Sequence, residues 1–305
     1  MIVPQELVAK FVIPYIRALV AIELYRRGYS QVKIAKLLGI SQPMVSRYIA
    51  EGVEYQIEKL SSVGIPREEA MAVANMLTEV ASRGRKQDFI RILASYGNTI
   101  LMRGYLCSKH RELVPDIPLD CSMCTKLFSQ PHDPLIEELK QAYEILRNCS
   151  KAYELIPEVG ANIVVALPDA VSPREIVGFS GRIIRVGNRI EAVGEPLYGG
   201  SRHTAQILLI VRKRHHGIRA AMVIRYSNTC VEKLRRNGMT VLDTGPHENL
   251  EALYKDLEQV VKASTARPDA IADRGGMGIE PVIYIFGLSA IEVVKKALIC
   301  VEETN

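Results

Sequence analysis

The chain has 305 residues, 48% of them hydrophobic and 24% charged, a composition ordinary for a globular protein. It excludes a disordered chain, a collagen and a disulfide mini-scaffold, and the length predicts two domains or three. Lys plus Arg number 39 against 34 Asp plus Glu, a net +5; so mild an excess permits nucleic-acid binding without requiring it.

Aromatics are 6% and Trp is absent, so the core must be built from Ile, Val, Leu and Ala. The most apolar N-terminal run, Phe11 to Leu24, is interrupted by Pro14, Arg17 and Glu23. It falls short of the ~20 apolar residues that span a bilayer and carries no leader-peptide cleavage pattern. A cytoplasmic location with no membrane partner is expected. The six cysteines are then expected in a reducing compartment, where clustered Cys bind metal more often than they form disulfides.

Residues 1 to about 110 read as helices, with apolar residues at helical spacing, as in Val12, Ile16, Val20 and Leu24. Within them, Ser30 caps a predicted helix from Gln31 to Leu38, Gly39 supplies a turn with φ > 0, and Ser41 caps a second helix with Pro43 in its first turn. Val45 and Ile49 face inward in this reading, leaving Gln42, Met44, Ser46 and Arg47 outward. This is helix-turn-helix spacing. The run Ile34-Ala-Lys-Leu-Leu-Gly-Ile-Ser-Gln-Pro-Met-Val-Ser-Arg-Tyr48 resembles the phage-repressor-like family of regulators. In that reading Ser41, Gln42, Met44, Ser46 and Arg47 meet double-stranded operator DNA, with Gln42 and Arg47 at base edges. Lys33, Lys36 and Tyr48 reach phosphates. An ordinary αα-hairpin of a bundle is the alternative. Glu68 to Ala81 is a helix that could serve dimerisation or the bundle core. Residues 81–115 hold seven Lys/Arg against two Asp/Glu, a face for DNA backbone or for solvent.

Cys107-x2-His110 is followed by Cys121-x2-Cys124 across a loop with Pro115, Pro118 and Asp120. Two chelating pairs at this spacing suit a structural zinc ion. His132 and Cys149 are substitutes, an iron–sulfur cluster on Cys107, Cys121, Cys124 and Cys149 is the rival, and free buried thiols are the third reading. Cys230 and Cys300 read as core residues. A further helix is predicted from about Asp133 to Asn148.

After residue 151 short β-type runs alternate with helical ones. Strands are predicted at 162–167, 182–186, 189–193, 218–225, 239–243, 269–273 and 281–286, the second and third joined as a hairpin by Gly187-Asn188. Helices are predicted at 201–215, 227–237, 247–264 and 288–299. The whole is a multidomain chain: an all-α helix-turn-helix N-terminal domain (1–105), a Cys/His knuckle and linker helix (106–151), and an α/β domain with a mixed sheet and covering helices (152–305).

The α/β half collects groups suited to an anionic ligand. Gly199-Gly200-Ser201-Arg202-His203 opens a helix, where backbone N–H groups meet phosphate. Arg182 and Arg185 lie on the hairpin and Arg225 ends a strand. Asp273-Arg274-Gly275-Gly276 runs on to Glu280-Pro281, with Asp273 and Glu280 as ligands for Mg²⁺ or a cationic ring. Arg is the preferred bidentate partner of phosphate, and α/β sheets hold ligands at strand ends.

Pro157 to Asp169, Phe179 to Gly187, the Gly199–His203 run, Ile224-Arg-Tyr226 and Asp273-Arg-Gly275 with Glu280-Pro281 together resemble the archaeal thiamine-phosphate synthase domain of ThiN type, over about residues 152–302. The fusion to a helix-turn-helix resembles the archaeal thiamine regulators of ThiR type. That resemblance implies a DNA-binding repressor of thiamine biosynthesis or transport genes, acting as a homodimer with thiamine phosphate or diphosphate as effector. It also implies the alternative, a synthase joining hydroxymethylpyrimidine pyrophosphate to thiazole phosphate with Mg²⁺. Catalysis there is carried by a hairpin Arg and a His after the Gly-Ser-Arg run, here Arg182 and His203. The stretch Thr244 to Leu250, with His247, matches no motif.

Overall fold

The computed structural model describes residues 2–124 and 133–301. His132 lies outside them. The chain forms two compact units, Met1–Pro131 and His132–Asn305.

The first unit is helical: α1 (Pro4–Phe11), α2 (Ile13–Arg26), α3 (Gln31–Leu38), α4 (Gln42–Ser61), α5 (Arg67–Ser82), α6 (Lys86–Met102) and α7 (Cys107–Leu113). α2 buries residues all round, from Ile16 to Leu24, because it is the central helix on which α1, α3, α4 and α5 pack. The α3–α4 hairpin closes through local chemistry. Ser30 Oγ accepts from Lys33 N–H, Gly39 sits at φ 67, and Ser41 Oγ accepts from Met44 N–H. α5 turns Ala70, Val73, Ala74, Leu77 and Val80 into the bundle core, the core role that the sequence allowed for this helix. The basic run over 81–115 is largely paired: Arg85 and Arg91 with Asp88, Arg103 with Glu69, Arg83 with Glu79, and Lys109 with Glu112.

The second unit opens with α8 (Pro134–Arg147), capped by Asp133, whose Oδ1 accepts from Leu135 N–H and Ile136 N–H. This helix, placed by sequence in the linker segment 106–151, packs on the sheet of the second unit. The strands are β1 (Asn162–Ala166), β2 (Ile176–Phe179), β3 (Ile183–Val186), β4 (Arg189–Ala192), β5 (Pro196–Tyr198), β6 (Ala220–Arg225), β7 (Val241–Thr244), β8 (Ala270–Asp273) and β9 (Val282–Gly287). The helices among them are α9 (Arg202–Arg212), α10 (Asn228–Arg236), α11 (Leu250–Ala263) and α12 (Ala290–Leu298).

Seven strands make one mixed sheet in the order β5-β2-β1-β6-β9-β8-β7, with only β7 and β8 parallel. β3 and β4 form a separate hairpin, Val186 facing Arg189 across the Gly187-Asn188 turn. α9 packs on β1 and β6 and meets α11, which packs on β7; α8 packs on β1 and meets α12, which packs on β6 and β9. β1, β8 and β9 are buried at every position, the signature of strands covered on both faces. The mixed sheet with covering helices is the expected fold class. β2 and β5 were not foreseen; both are short and carry Gly or Pro.

Cys230 and Cys300, read from sequence as separate core thiols, form a disulfide that closes a 70-residue separation. It ties α10 to the end of α12. In the chain-entropy picture a loop of that length is worth about 4 kcal/mol. Reduction, or Cys300→Ser, should therefore lower the melting temperature of the oxidised protein by several degrees; an unchanged melting curve would show that the bridge adds no stability.

Gly200 has no room for a side chain, since an added Cβ would collide with the Gly178 carbonyl. Gly200→Ala should destabilise by about 1–3 kcal/mol or prevent folding, read from urea unfolding.

Candidate functional site

The register of the sheet gathers most of the predicted ligand residues at one edge. Arg225 closes β6 and pairs with Val282, which pairs with Asp273, which pairs with Thr244. This row therefore holds the end of β6, the start of β9 and the ends of β8 and β7. Asn162, at the start of β1, pairs with Val223 two residues before Arg225. The turn just before β1 brings Gly160 against Arg182, leaving 3.1 Å between an added Cβ and the Arg182 side chain. Arg182 Nη1 donates to the Val159 carbonyl at 2.5 Å, and Glu280 accepts from Glu158 N–H and Val159 N–H at 2.8 and 3.0 Å. Arg182, Arg225, Glu280 and the 157–160 turn thus share one edge.

α9 runs along the sheet from this side to the far edge, where Arg212 donates to the carbonyls of Ile218 and Pro168. Its N-terminus is entered by Gly199 at φ 72 and Gly200, packed on Gly178 of β2. Ser201 is buried and occupies the N-cap, yet its side chain makes no cap hydrogen bond. By contrast Ser227, Asn249 and Ser289 cap α10, α11 and α12. Arg202 is exposed. His203, in the first turn, is held at both ring nitrogens: Nδ1 lies 3.0 Å from the Tyr254 hydroxyl and Nε2 lies 2.9 Å from the Tyr284 hydroxyl. Tyr284 projects from β9 and is buried, so the ring orientation is set by the sheet itself.

His247, which no sequence motif marked, is a buried organising residue. It follows a cis Gly245-Pro246 bond and its side chain is fully buried. Nδ1 meets Asp256 Oδ2 at 2.5 Å and Nε2 meets Asp273 Oδ1 at 3.0 Å. Its N–H donates to the Gly275 carbonyl, and Gly275 N–H donates to Asp273 Oδ1 at 2.7 Å. Gly-Pro-His between a strand end and a helix, with Gly275-Gly276 opposite, was the available signal.

Asp273, expected as a ligand for Mg²⁺ or a cationic ring, lies inside the sheet. It is wholly buried, spent on His247 and the 274–276 turn, and its Oδ2 has no partner. Glu280 gives both oxygens to backbone N–H groups. The two carboxylates do not fit a protein-held Mg²⁺, which takes carboxylate oxygens open to it and to substrate phosphate. Arg274 is exposed beside them. Arg185 points elsewhere: its guanidinium stacks 4.7 Å from the Tyr153 ring and donates to Gly187.

In the helical unit the outward set expected on α3 and α4 is largely confirmed as exposed. Lys33, Lys36, Ser41, Gln42, Ser46 and Arg47 are exposed and Met44 half-buried. Tyr48 is buried and cannot reach a phosphate. Several of the others are engaged locally: Gln42 with Gln31, Arg47 with Glu51, and Lys33 over Tyr29.

Cys107, His110, Cys121 and Cys124 line one cavity of about 40 Å³. Burial, with Cys107 and Cys121 close by, pushes the Cys124 thiol up. Among the described residues no three such side chains converge into a finished coordination shell. Cys149 packs on the core of the second unit.

Burial pushes the Asp273 carboxyl above its usual range, against the pull of Gly275 N–H and His247. A carboxyl raised in the folded state adds stability below its unfolded value, and that contribution is lost as pH rises through the raised value. The stability of the parent relative to Asp273→Asn, from urea midpoints between about pH 4 and 7, should fall as pH rises. A parent that gains on the variant with pH would make the ionised carboxyl the stabilising form.

Comparison with known proteins bears on the second unit. The family described as Thiamine-phosphate synthase ThiN matches residues 138–299. The thiamine-phosphate synthase ThiN of Methanothermobacter thermautotrophicus is 28% identical over 171 residues, 53% of this chain and 90% of that protein. The bifunctional thiamine biosynthesis protein ThiDN of Methanocaldococcus jannaschii is 34% identical over 170 residues, 54% of this chain; the chain spans only 40% of that relative's length. A crystal structure of the C-terminal domain of phosphomethylpyrimidine kinase aligns with a TM-score of 0.50 at 32% identity, covering 54% of this chain and 97% of that one. No helix among the described residues is long and apolar enough to cross a membrane.

These findings overturn the main functional expectation. The family and the relatives are those of a thiamine biosynthetic enzyme, so the DNA-binding repressor reading, and the transcription-regulation role tied to it, give way to the synthase alternative. The α3–α4 hairpin lies outside the matched residues 138–299, and its caps and turn form as the sequence predicts. The match over residues 138–299, which takes in Arg182, His203 and the 199–203 turn, places this chain in the thiamine-phosphate synthase ThiN family.

Proposed function

We propose that the second unit is a thiamine-phosphate synthase domain that joins hydroxymethylpyrimidine pyrophosphate to thiazole phosphate. The thiazole ring nitrogen forms a bond to the methylene carbon of the pyrimidine. The bond from that carbon to the pyrophosphate oxygen breaks, and pyrophosphate leaves with the electron pair. The product is the thiazolium, thiamine phosphate, and no proton has to move. What the protein must supply is alignment and compensation of the growing negative charge on the leaving group.

The observation that carries this reading is a His203 held at both ring nitrogens at the start of α9, on a sheet whose edge carries Arg182 and Arg225. Arg182, oriented by the Val159 carbonyl, compensates the leaving pyrophosphate, with Arg225 and Arg274 on the same edge. The Gly199–Ser201 turn and the first turn of α9 receive a phosphate, since the Ser201 side chain does not cap that helix. His203 has a tyrosine hydroxyl on each nitrogen, which suits a positioning residue. It holds Tyr254 and Tyr284, and with them α11 and β9, against the phosphate turn. Neither Asp273 nor Glu280 offers a metal site here, so the arginines carry the charge compensation that the protein itself provides.

Purified full-length chain given both substrates should form thiamine phosphate over many turnovers. Arg182→Ala should lower kcat by roughly 10²–10³-fold, the usual loss for one charge-stabilising donor. Tyr284→Phe should lower it by roughly 10-fold while leaving KM nearly unchanged, because only ring alignment is lost. A parent that binds both substrates and makes no product would overturn the proposal, and an Arg182→Ala variant as active as the parent would remove that residue from the reaction.

A further inference from the structure

We propose that the helical unit holds a zinc ion on Cys107, His110, Cys121 and Cys124, a site outside the span shared with the synthase family. Cys107 and His110 stand three apart on α7, which puts them on one face of that helix. Cys121 and Cys124 stand three apart on the segment beyond it, and all four side chains line the same cavity, with Pro4 and Leu101 behind them. At about 40 Å³ it has room for one ion among its ligands.

The histidine is prepared for this role. His110 Nε2 lies 2.8 Å from the Ile2 carbonyl oxygen. A carbonyl only accepts, so Nε2 carries the hydrogen and Nδ1 is left with its lone pair. Metal-binding histidines are commonly anchored in this way, by the second ring nitrogen on a backbone carbonyl or carboxylate. Three thiols and one imidazole, with no carboxylate in the lining, form a soft set that suits tetrahedral zinc. The fourth cysteine that an iron–sulfur cluster would take is absent from the cavity lining among the described residues.

The fold also leaves this segment in need of a tie. α7 has no buried residue, so no apolar face fastens it to the bundle, in contrast to α2, α5 and α6. A metal bound across α7 and the 121–124 segment would supply that missing anchor, drawing the sulfurs inward as it displaces their protons. The three thiols are free while Cys230 and Cys300 pair with each other.

Full-length protein purified without chelator should contain about one zinc per chain by mass spectrometry of the metal. X-ray absorption at the zinc edge should show three sulfur neighbours and one nitrogen. Replacing zinc by cobalt(II) should give the intense visible absorption of a tetrahedral thiolate site. His110→Ala should weaken zinc retention against a competing chelator by roughly 10–100-fold or more, and Cys121→Ser with Cys124→Ser should abolish it. If the double variant fails to fold, chelation and cobalt readdition on the parent carry the same test. Iron with inorganic sulfide in place of zinc would overturn the assignment, as would metal-free protein with no cobalt spectrum, or zinc retained in full by both variants.

Discussion

Burial of the seven-stranded sheet on both faces is the constraint from which the rest of the second unit follows. Strands such as β1 and β9, apolar and buried at nearly every position beneath the covering helices, leave polar chemistry little place but the strand ends. The register then decides which ends meet. Arg225, Val282, Asp273 and Thr244 fall in one row, and the 157–160 turn brings Arg182 to the same edge. The exception is Tyr284, a hydroxyl carried on a central strand, and it is the partner of His203. A buried hydroxyl needs a partner, and this one doubles as an aiming device for the histidine.

Charge inside this edge is managed in two ways. Arg182 and Glu280 are spent on backbone groups of the same turn, so they hold its shape. Asp273 and His247 instead form a wholly internal pair that fixes the turn from Arg274 onward. Desolvation of Asp273 is offset only in part by its two donors, while the contacts of the pair fix the loop geometry. That distinction separates residues that look alike in sequence. Both acids flank the same glycine-rich turn, Asp273 at the end of β8 and Glu280 just before β9, yet one is scaffold and the other is a turn clamp.

The helical unit obeys a different logic. Its hairpin between α3 and α4 is specified locally, by two serine caps and a left-handed glycine, and such chemistry builds a helix pair whatever the pair is used for. Function cannot be read from it. Its one feature with chemical direction is the cavity beside α7, where a short helix without an apolar face meets three thiols and an imidazole with an oriented tautomer.

What the sequence determined by itself were properties that depend on near neighbours. Helix positions and caps, the Gly187-Asn188 hairpin, the α/β alternation, and the Gly199–His203 turn with Arg182 all rest on spacing within a few residues. Their boundaries moved by only one to three positions. β2 and β5 escaped because short strands with Gly or Pro gain their stability from the neighbours they pair with, not from local preference. The tertiary structure alone decided the pairings between distant segments: Cys230 with Cys300, His203 between Tyr254 and Tyr284, His247 between Asp256 and Asp273. It also decided the inward turn of Tyr48 and the retreat of Asp273 from the surface. The reason is physical. Burial and partnership are set by which elements meet in space, and one residue type carries opposite consequences in water and in a closed sheet.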